Sequence, residues 1–429
     1  MENYGLDITR LRAWSGYYAN DAKVRASASG GGATAIAEAF IKNKSGFVFG
    51  AAFTRDFKDV VYKCIETREE LSLLKGSKYV YSTKKESVPG GKETIFSIIE
   101  DKLKHGKSVL MIGLGCDIGA LNLYLHRKRA DIANLYTVEL ICNGPTYKEV
   151  QRQYIENIEK MYCAKVINFS MRYKKCGWTP FYIYAELDNG QKHIRTFYDS
   201  DYGYAFQNYK LRKCYNCQFR GEKHPADLAL GDCWGMKLGM ENFCKNGVSA
   251  FIAKTQKGVE LVEDIDTLQF CLKEANVSSV IKNNPMYCNT AVDNGQWKKF
   301  DAIFKSKGLR TAVVQTKRAQ ACKAVNDWKN KEVVLWGIGK CFSENLPKVK
   351  EICGVRYICD NDESRKKSVD LQGMVYIPPH DLRRLKNIFV ILMFENISYA
   401  FQVVRQLIDM GIFDFDIVYN WLQYADNTN

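Results

Sequence analysis

Short apolar runs alternate with amphipathic stretches through the first third of the chain, a rhythm that predicts strands alternating with helices. Gly46–Phe53 and Val60–Ile65 read as strands, and Arg68–Leu74 as a short helix. Glu93–Lys104 has helical spacing, and Ser108–Ile112 is apolar throughout, as a strand covered on both faces is. Gly113-Leu-Gly-Cys-Asp-Ile-Gly-Ala-Leu121 then turns into another helix, and Leu135–Ile141 is a further buried strand ending at Cys142-Asn-Gly-Pro145. After a helix over Tyr147–Tyr162 the period shortens. Val166–Arg172, Phe181–Leu187 and Lys192–Tyr198 read as antiparallel strands, with Asp188-Asn-Gly190 as a hairpin turn. Asp201–Leu211 is expected to be a short helix, Gly231–Gly235 a tight turn, Val248–Lys254 a strand and Thr255–Leu268 a helix.

The rhythm restarts after a charged, helical stretch at Arg310–Lys331. Strands at Val333–Trp336, Val355–Cys359, Ile388–Met393 and Phe413–Tyr419 alternate with helices, and right-handed crossovers would make them a small parallel sheet. The expected fold class is therefore α/β plus α+β. A mixed-sheet domain would occupy residues 1–310, a helical linker residues 311–330 and a Rossmann-like domain residues 331–429.

Length agrees with more than one core, since 429 residues with 46% apolar content exceed what one small core holds. The first ten residues carry no apolar run fit for a signal peptide, and the longest apolar stretch, Ile388–Phe394, is too short to span a bilayer. A cytoplasmic protein with no membrane span is expected. Fifteen cysteines, an odd number, then point to metal ligands, redox groups or buried small hydrophobes before disulfides. The net charge of +14 is spread among acids without a long Lys/Arg block; an anionic small molecule explains it as well as nucleic acid does, and charge does not choose between them. An anionic small-molecule partner and no nucleic acid are expected.

The strongest chemical signal is Cys214-x-x-Cys217, a spacing that turns two thiolates toward one iron or zinc centre, or toward each other. It supplies half of a four-ligand site. Cys116 lies at a helix start and Cys142 at a strand end, where open α/β sheets gather ligands; both read equally well as structural core cysteines. Ser29-Gly-Gly-Gly32 runs into an Ala-rich helix and could cradle a phosphate on free amides, or be a plain helix cap. Lys75-Gly-Ser-Lys-Tyr-Val80 combines amide access, a cation and a stacking surface, and is otherwise a loop. In the last domain, Gly337-x-Gly339 lacks the third glycine of the dinucleotide fingerprint, while Asp360 occupies its acidic position.

Taken in order, seven segments resemble the coenzyme F-420 (deazaflavin) hydrogenase/dehydrogenase β-subunit family of iron-sulfur flavoproteins, between about Ala19 and Asn284. They are Ser27–Gly32, Gly46–Phe53, Gly76–Val80, Gly115-Cys116, Leu140–Pro145, Cys214–Cys217 and Gly231–Gly235. The resemblance implies FAD held by Ser29, Gly30, Gly31, Gly32, Gly76, Ser77, Lys78 and Tyr79, with Asn143 and Asp232 counted among its neighbours. It also implies one 4Fe-4S cluster on Cys116, Cys142, Cys214 and Cys217, with Cys233 in reserve. The chain departs from the family at Leu114–Asp117, where Thr-Pro-Cys-Gln is usual, and at Cys142-Asn-Gly144, where Cys-His-Gly is usual. Asn143 can hydrogen-bond but cannot hold a transferable proton. The ferredoxin-like cysteine segment of many relatives is missing, which implies an external electron donor, a ferredoxin-like protein or a reduced coenzyme.

The last domain resembles those appended to sugar-modifying enzymes. The expected function is thus an FAD and 4Fe-4S oxidoreductase reducing an anionic nucleotide-linked sugar for surface polysaccharide, with Lys78 and Tyr79 as candidate proton donors. The alternatives are an electron-relay subunit and a non-enzymatic zinc-binding protein.

Overall fold

The computed structural model describes residues 6–84, 94–328, 331–368, 373–395, 397–412 and 414–418. They form two compact units, Met1–Leu309 and Arg310–Asn429. In the first unit the strands are β1 (Arg12–Tyr18), β2 (Phe47–Phe53), β3 (Val60–Ile65), β4 (Val109–Leu114), β5 (Leu135–Leu140), β6 (Val166–Tyr173), β7 (Tyr182–Leu187), β8 (Lys192–Thr196), β9 (Leu228–Asp232), β10 (Ser249–Ala253) and β11 (Phe270–Glu274). Eight of them make one mixed sheet in the order β11-β1-β10-β9-β5-β4-β2-β3. Its centre is parallel, from β2 through β4 and β5 to β9, and antiparallel strands close both sides. β6, β7 and β8 form a separate antiparallel sheet.

Both faces of the large sheet are covered, which explains why its central strand β4 is apolar without alternation. Along β4, Leu110 points into one core with Val48, Val138, Leu228 and Phe251, where the helix Gly32–Lys44 contributes Ile36 and Phe40. Val109 and Met111 point the other way, onto Ile95, Ile99, Ile118 and Leu121 of the helices Ile95–Lys104 and Gly115–Arg127. Hydroxyl caps set several helix starts: Thr94, Ser200 and Thr255 each accept a backbone N–H three residues on. The first helical residue comes two positions later than periodicity alone places it at Ile95, one later at Gln256, and at the expected position at Asp201.

Three elements differ from the sequence expectation. Arg12–Tyr18 is a strand paired with both β10 and β11. The helix expected to reach Leu268 ends at Glu263, and Phe270–Glu274 becomes the edge strand β11. Gly231 and Asp232, expected in a tight turn, are the last residues of β9 and pair with Ala250 and Ser249. Only the residues after them turn, with Gly235 at φ 88.

Trp297–Trp328 is helical apart from a break at Gly308, φ 80. In the second unit β12 (Glu332–Trp336), β13 (Val355–Cys359), β14 (Val375–Tyr376), β15 (Ile388–Leu392) and β16 (Phe415–Ile417) form a parallel sheet in the order β14-β13-β12-β15-β16. Asp360, at the end of β13, accepts the Ile338 amide at 2.6 Å and lies 3.9 Å from Arg365. Arg365 also donates to the Ile338 carbonyl, and a Cβ on Gly339 would stand 3.1 Å from its guanidinium. The acidic position and the turn are therefore tied to one another.

Candidate functional site

Parallel pairing of β4 with β5, from Val109 opposite Leu135 to Leu114 opposite Leu140, sets two carboxyl ends side by side. Cys116 is the second residue of the helix that starts directly after β4, and Cys142 lies two residues beyond β5. Cys214 sits on a single 3-10 turn, Arg212–Asn216, and Cys217 follows it. Main-chain bonds fasten that turn to the Cys142 loop: Thr146 pairs with Lys210, and the Leu211 N–H donates to the Pro145 carbonyl at 3.0 Å. The structure thus brings all four expected ligands together. Cys142 interacts electrostatically with Cys116, Cys214 and Cys217, and Cys214 with Cys217.

Gly144 makes the approach possible. Its φ is 86, and a Cβ there would lie 2.7 Å from Cys214 Cβ. Its N–H points at Cys142 Sγ, 3.1 Å away. Arg220 braces the same loop, donating to the Cys142 and Met286 carbonyls. Burial raises all three of the most enclosed thiols, Cys116 to about 12, Cys214 to about 11, and Cys142 in the same direction. Metal binding to them must therefore release protons. Lys84, Lys210, Lys213 and Arg220 oppose the effect, and would offset the negative charge of a bound thiolate cluster.

Among the described residues no three His, Cys, Asp or Glu side chains stand close enough to hold a single metal ion. A four-iron cubane is wider than one ion, and these four thiols, coupled electrostatically and flanked by cations, have the donor chemistry that such a cluster would need. Cys233 lies elsewhere, buried in the apolar cluster of Ala229, Val248, Ala250 and Tyr287.

Of the residues expected around a flavin, Ser29, Gly30, Gly31 and Gly32 are buried at the start of the helix Gly32–Lys44. Their small size serves packing. A Cβ on Gly30 would meet the Gly16 carbonyl at 2.2 Å, one on Gly31 the Tyr18 ring at 2.5 Å, and one on Gly32 the Phe251 ring at 2.7 Å. The Gly32 amide already donates to Ser249 Oγ, and Ser29 Oγ donates to the Val248 carbonyl. Gly76, at φ 82, has open space where its side chain would be, and Ser77 is half-buried. Lys78 donates to the carbonyls of Leu74 and Lys75, and burial lowers it to about 7. The Tyr79 ring packs on Phe197 and Phe206. Asn143 is exposed beside Cys142.

What sequence reasoning missed is a cationic pair at the end of β6. Arg172 donates through Nη1 to both carboxylate oxygens of Asp232, at 3.1 and 2.9 Å, and interacts with the Tyr79 hydroxyl. Its Nε and Nη2 are buried without a hydrogen-bond partner among the described residues, and the guanidinium lies 4.2 Å from the Phe181 ring centre. Lys174 donates to the Val24 and Ser29 carbonyls at 2.6 and 2.8 Å. Burial, then Arg172, lowers it to about 7. β6 therefore joins the Ser29 turn to Tyr79 and Asp232. The one sequence signal was the i, i+2 spacing of Arg172 and Lys174, which puts both on one side of an extended chain.

Comparison with known proteins adds three findings. No curated protein matches the chain. A chain of the F420-reducing NiFe hydrogenase complex from Methanosarcina barkeri is similar at 15% identity and TM-score 0.43, covering 74% of this chain and 91% of that one. Residues 106–277 match the family model for the C terminus of the coenzyme F420 hydrogenase/dehydrogenase beta subunit, a stretch that holds Cys116, Cys142, Cys214 and Cys217 and excludes Ser29–Gly32 and Gly76–Tyr79. Over those residues the chain is similar to the coenzyme F420 hydrogenase/dehydrogenase beta-subunit family.

Proposed function

We propose that the chain is an iron-sulfur flavoprotein oxidoreductase that takes single electrons from an external donor and reduces an anionic substrate. The observation that carries this reading is the convergence of four thiols from three separate stretches at the carboxyl ends of adjacent parallel strands. Cys116, Cys142, Cys214 and Cys217 would hold one 4Fe-4S cluster, with Gly144 N–H and the surrounding cations favouring its reduced, more negative state.

FAD is the proposed second group; when bound it supplies exchange between one-electron and two-electron chemistry. Ser77, Lys78, Tyr79 and the Ser29 turn would hold it. Arg172 supports that reading, because it places a buried positive charge beside Tyr79, and Lys174 bonds the Ser29 turn to the same strand end. The packed glycines assign Gly30, Gly31 and Gly32 to the shape of the turn, which leaves anion binding to the cations and to helix-start amides. Tyr79, with its hydroxyl against Arg172, is the better-placed proton donor of the two expected. Lys78 is already committed to two carbonyls. An anionic substrate accords with the net charge of +14. The narrower sugar-nucleotide reading rests on the second unit alone, where Asp360 is bonded internally.

Anaerobic purification followed by iron, acid-labile sulfide and flavin analysis tests the assignment. Cys217→Ser should lose iron and sulfide together while the chain stays folded. Wild-type iron in that variant would show that the cluster lies elsewhere, and stoichiometric zinc in the wild type would replace it with a zinc site. Reoxidation of the chemically reduced protein by a panel of nucleotide sugars tests the substrate. Reoxidation only by a protein partner would make the chain a relay subunit.

A further inference from the structure

On its Cys116 side the cysteine site adjoins exposed residues. Cys116 interacts with Lys213 and Lys84, and those two ammonium groups lie 5.3 and 4.5 Å from the ring centre of Tyr81, which is 36% exposed. Tyr81 and Lys213 form one wall of a cleft of about 400 Å³ completed by Tyr147, Lys148, Leu211 and Arg212. Arg212 is exposed, lies 4.9 Å from the Trp297 ring centre and pairs with Asp293. Among the described residues cations outnumber acids here, with Lys84, Lys148, Arg212, Lys213 and Lys305 against Glu149, Asp293 and Asp301; Asp117 is buried against Lys84. Aromatic rings line a basic mouth whose Lys213 also acts on Cys116 and Cys214.

We propose that this cleft is the docking surface for an acidic ferredoxin-type iron-sulfur protein, which delivers electrons to the cysteine site past Tyr81 and Lys213. The proposal rests on the cluster reading above and goes beyond it by naming the entry point and the partner. Two properties select the occupant. Arg212 and Lys213 stand on the exposed rim, where charge steers a macromolecule into register, whereas a small anion is held by cations buried around it. The site beneath is a one-electron acceptor, so its donor must give one electron per encounter. Each encounter oxidises the donor by one electron and reduces the site by one. Two encounters, with two protons from solvent, balance a two-electron reduction of a carbonyl to an alcohol.

The test uses the full chain and a purified acidic two-cluster 4Fe-4S ferredoxin as probe. Binding is measured by calorimetry on the protein as isolated, and electron transfer by stopped-flow absorbance after anaerobic iron loading. Raising ionic strength from about 10 mM to about 0.3 M should lower the second-order rate at least tenfold. Lys148→Glu combined with Arg212→Gln should weaken both binding and rate about tenfold. The glutamine avoids setting two acids together at Asp293. Reduction by a small neutral photoreductant should stay at the wild-type rate in the double variant, and its melting temperature should be unchanged. Wild-type ferredoxin binding and rate in that folded variant would overturn the surface, as would inhibition by a small polyanion such as pyrophosphate in the absence of ferredoxin binding. Absence of iron would sink the cluster reading instead, and calorimetry would still score the surface.

Discussion

A lysine buried on backbone carbonyls makes a measurable demand on pH. Lys174 is lowered to about 7 from the usual value near 10.5, chiefly by burial, so between these values the unfolded chain binds a proton that the folded chain has begun to lose. Stability therefore rises with pH through that window, by up to about 1.4 kcal/mol per pH unit for one such group. The raised thiols and phenols act with the opposite sign once the unfolded chain starts to lose their protons, which confines the clean range to about pH 7 to 8.5. Urea unfolding at both ends of that range should show a positive slope that is shallower in Lys174→Met; an unchanged slope would show that Lys174 is not the group responsible. Gly144 makes a second demand. Gly144→Ala places a methyl against Cys214 at φ 86 and should cost more than the roughly 1 kcal/mol of the backbone alone. Its iron content should fall well below wild type. Gly76→Ala, with open space at a similar φ, should lose only that backbone share and keep its iron.

At the scale of elements, the glycine turn before the helix Gly32–Lys44 serves as a joint between that helix, β1 and β10. Gly30→Ala should lower stability by several kcal/mol, because a methyl would overlap a main-chain carbonyl that cannot move without β1. Gly31→Val, in the turn proposed to hold flavin, is expected to destabilise the fold, since its side chain would enter the Tyr18 ring. Differential scanning calorimetry of both variants checks this. The parallel centre of the sheet was legible because β4 is apolar on both faces, β5 is buried along most of its length, and both end in glycine-containing turns, and so was the placement of Cys116 and Cys142 at neighbouring ends. β1, β9 and β11 were not. Their residues carry small or polar side chains, such as Ser15, Gly16, Gly231 and Asp232, whose strand conformation comes from partners distant in sequence. Arg172 and Lys174 escaped for a related reason: only the packed structure shows that two ordinary cations at a strand end have lost their water.

At the scale of the molecule, the two units have separate apolar cores, one around Phe251 and Met111, the other around Phe342 and Val390. All four cysteines proposed to hold the cluster lie in the first. A chain ending after Trp328 should keep its full iron and sulfide complement, measured per mole of purified protein, and loss of iron would tie the second unit to the site. No helix among the described residues is long and apolar enough to cross a membrane. The main-chain fastening of the Cys214 turn to the Cys142 loop bears on how the centre is built in the cell. Because Thr146, Lys210, Leu211 and Pro145 are joined through backbone atoms and use no thiol, the vessel exists before its contents. Maturation then becomes a delivery step onto a folded recipient, and protein stripped by a chelator should recover its inorganic core from iron and sulfide without ever being unfolded.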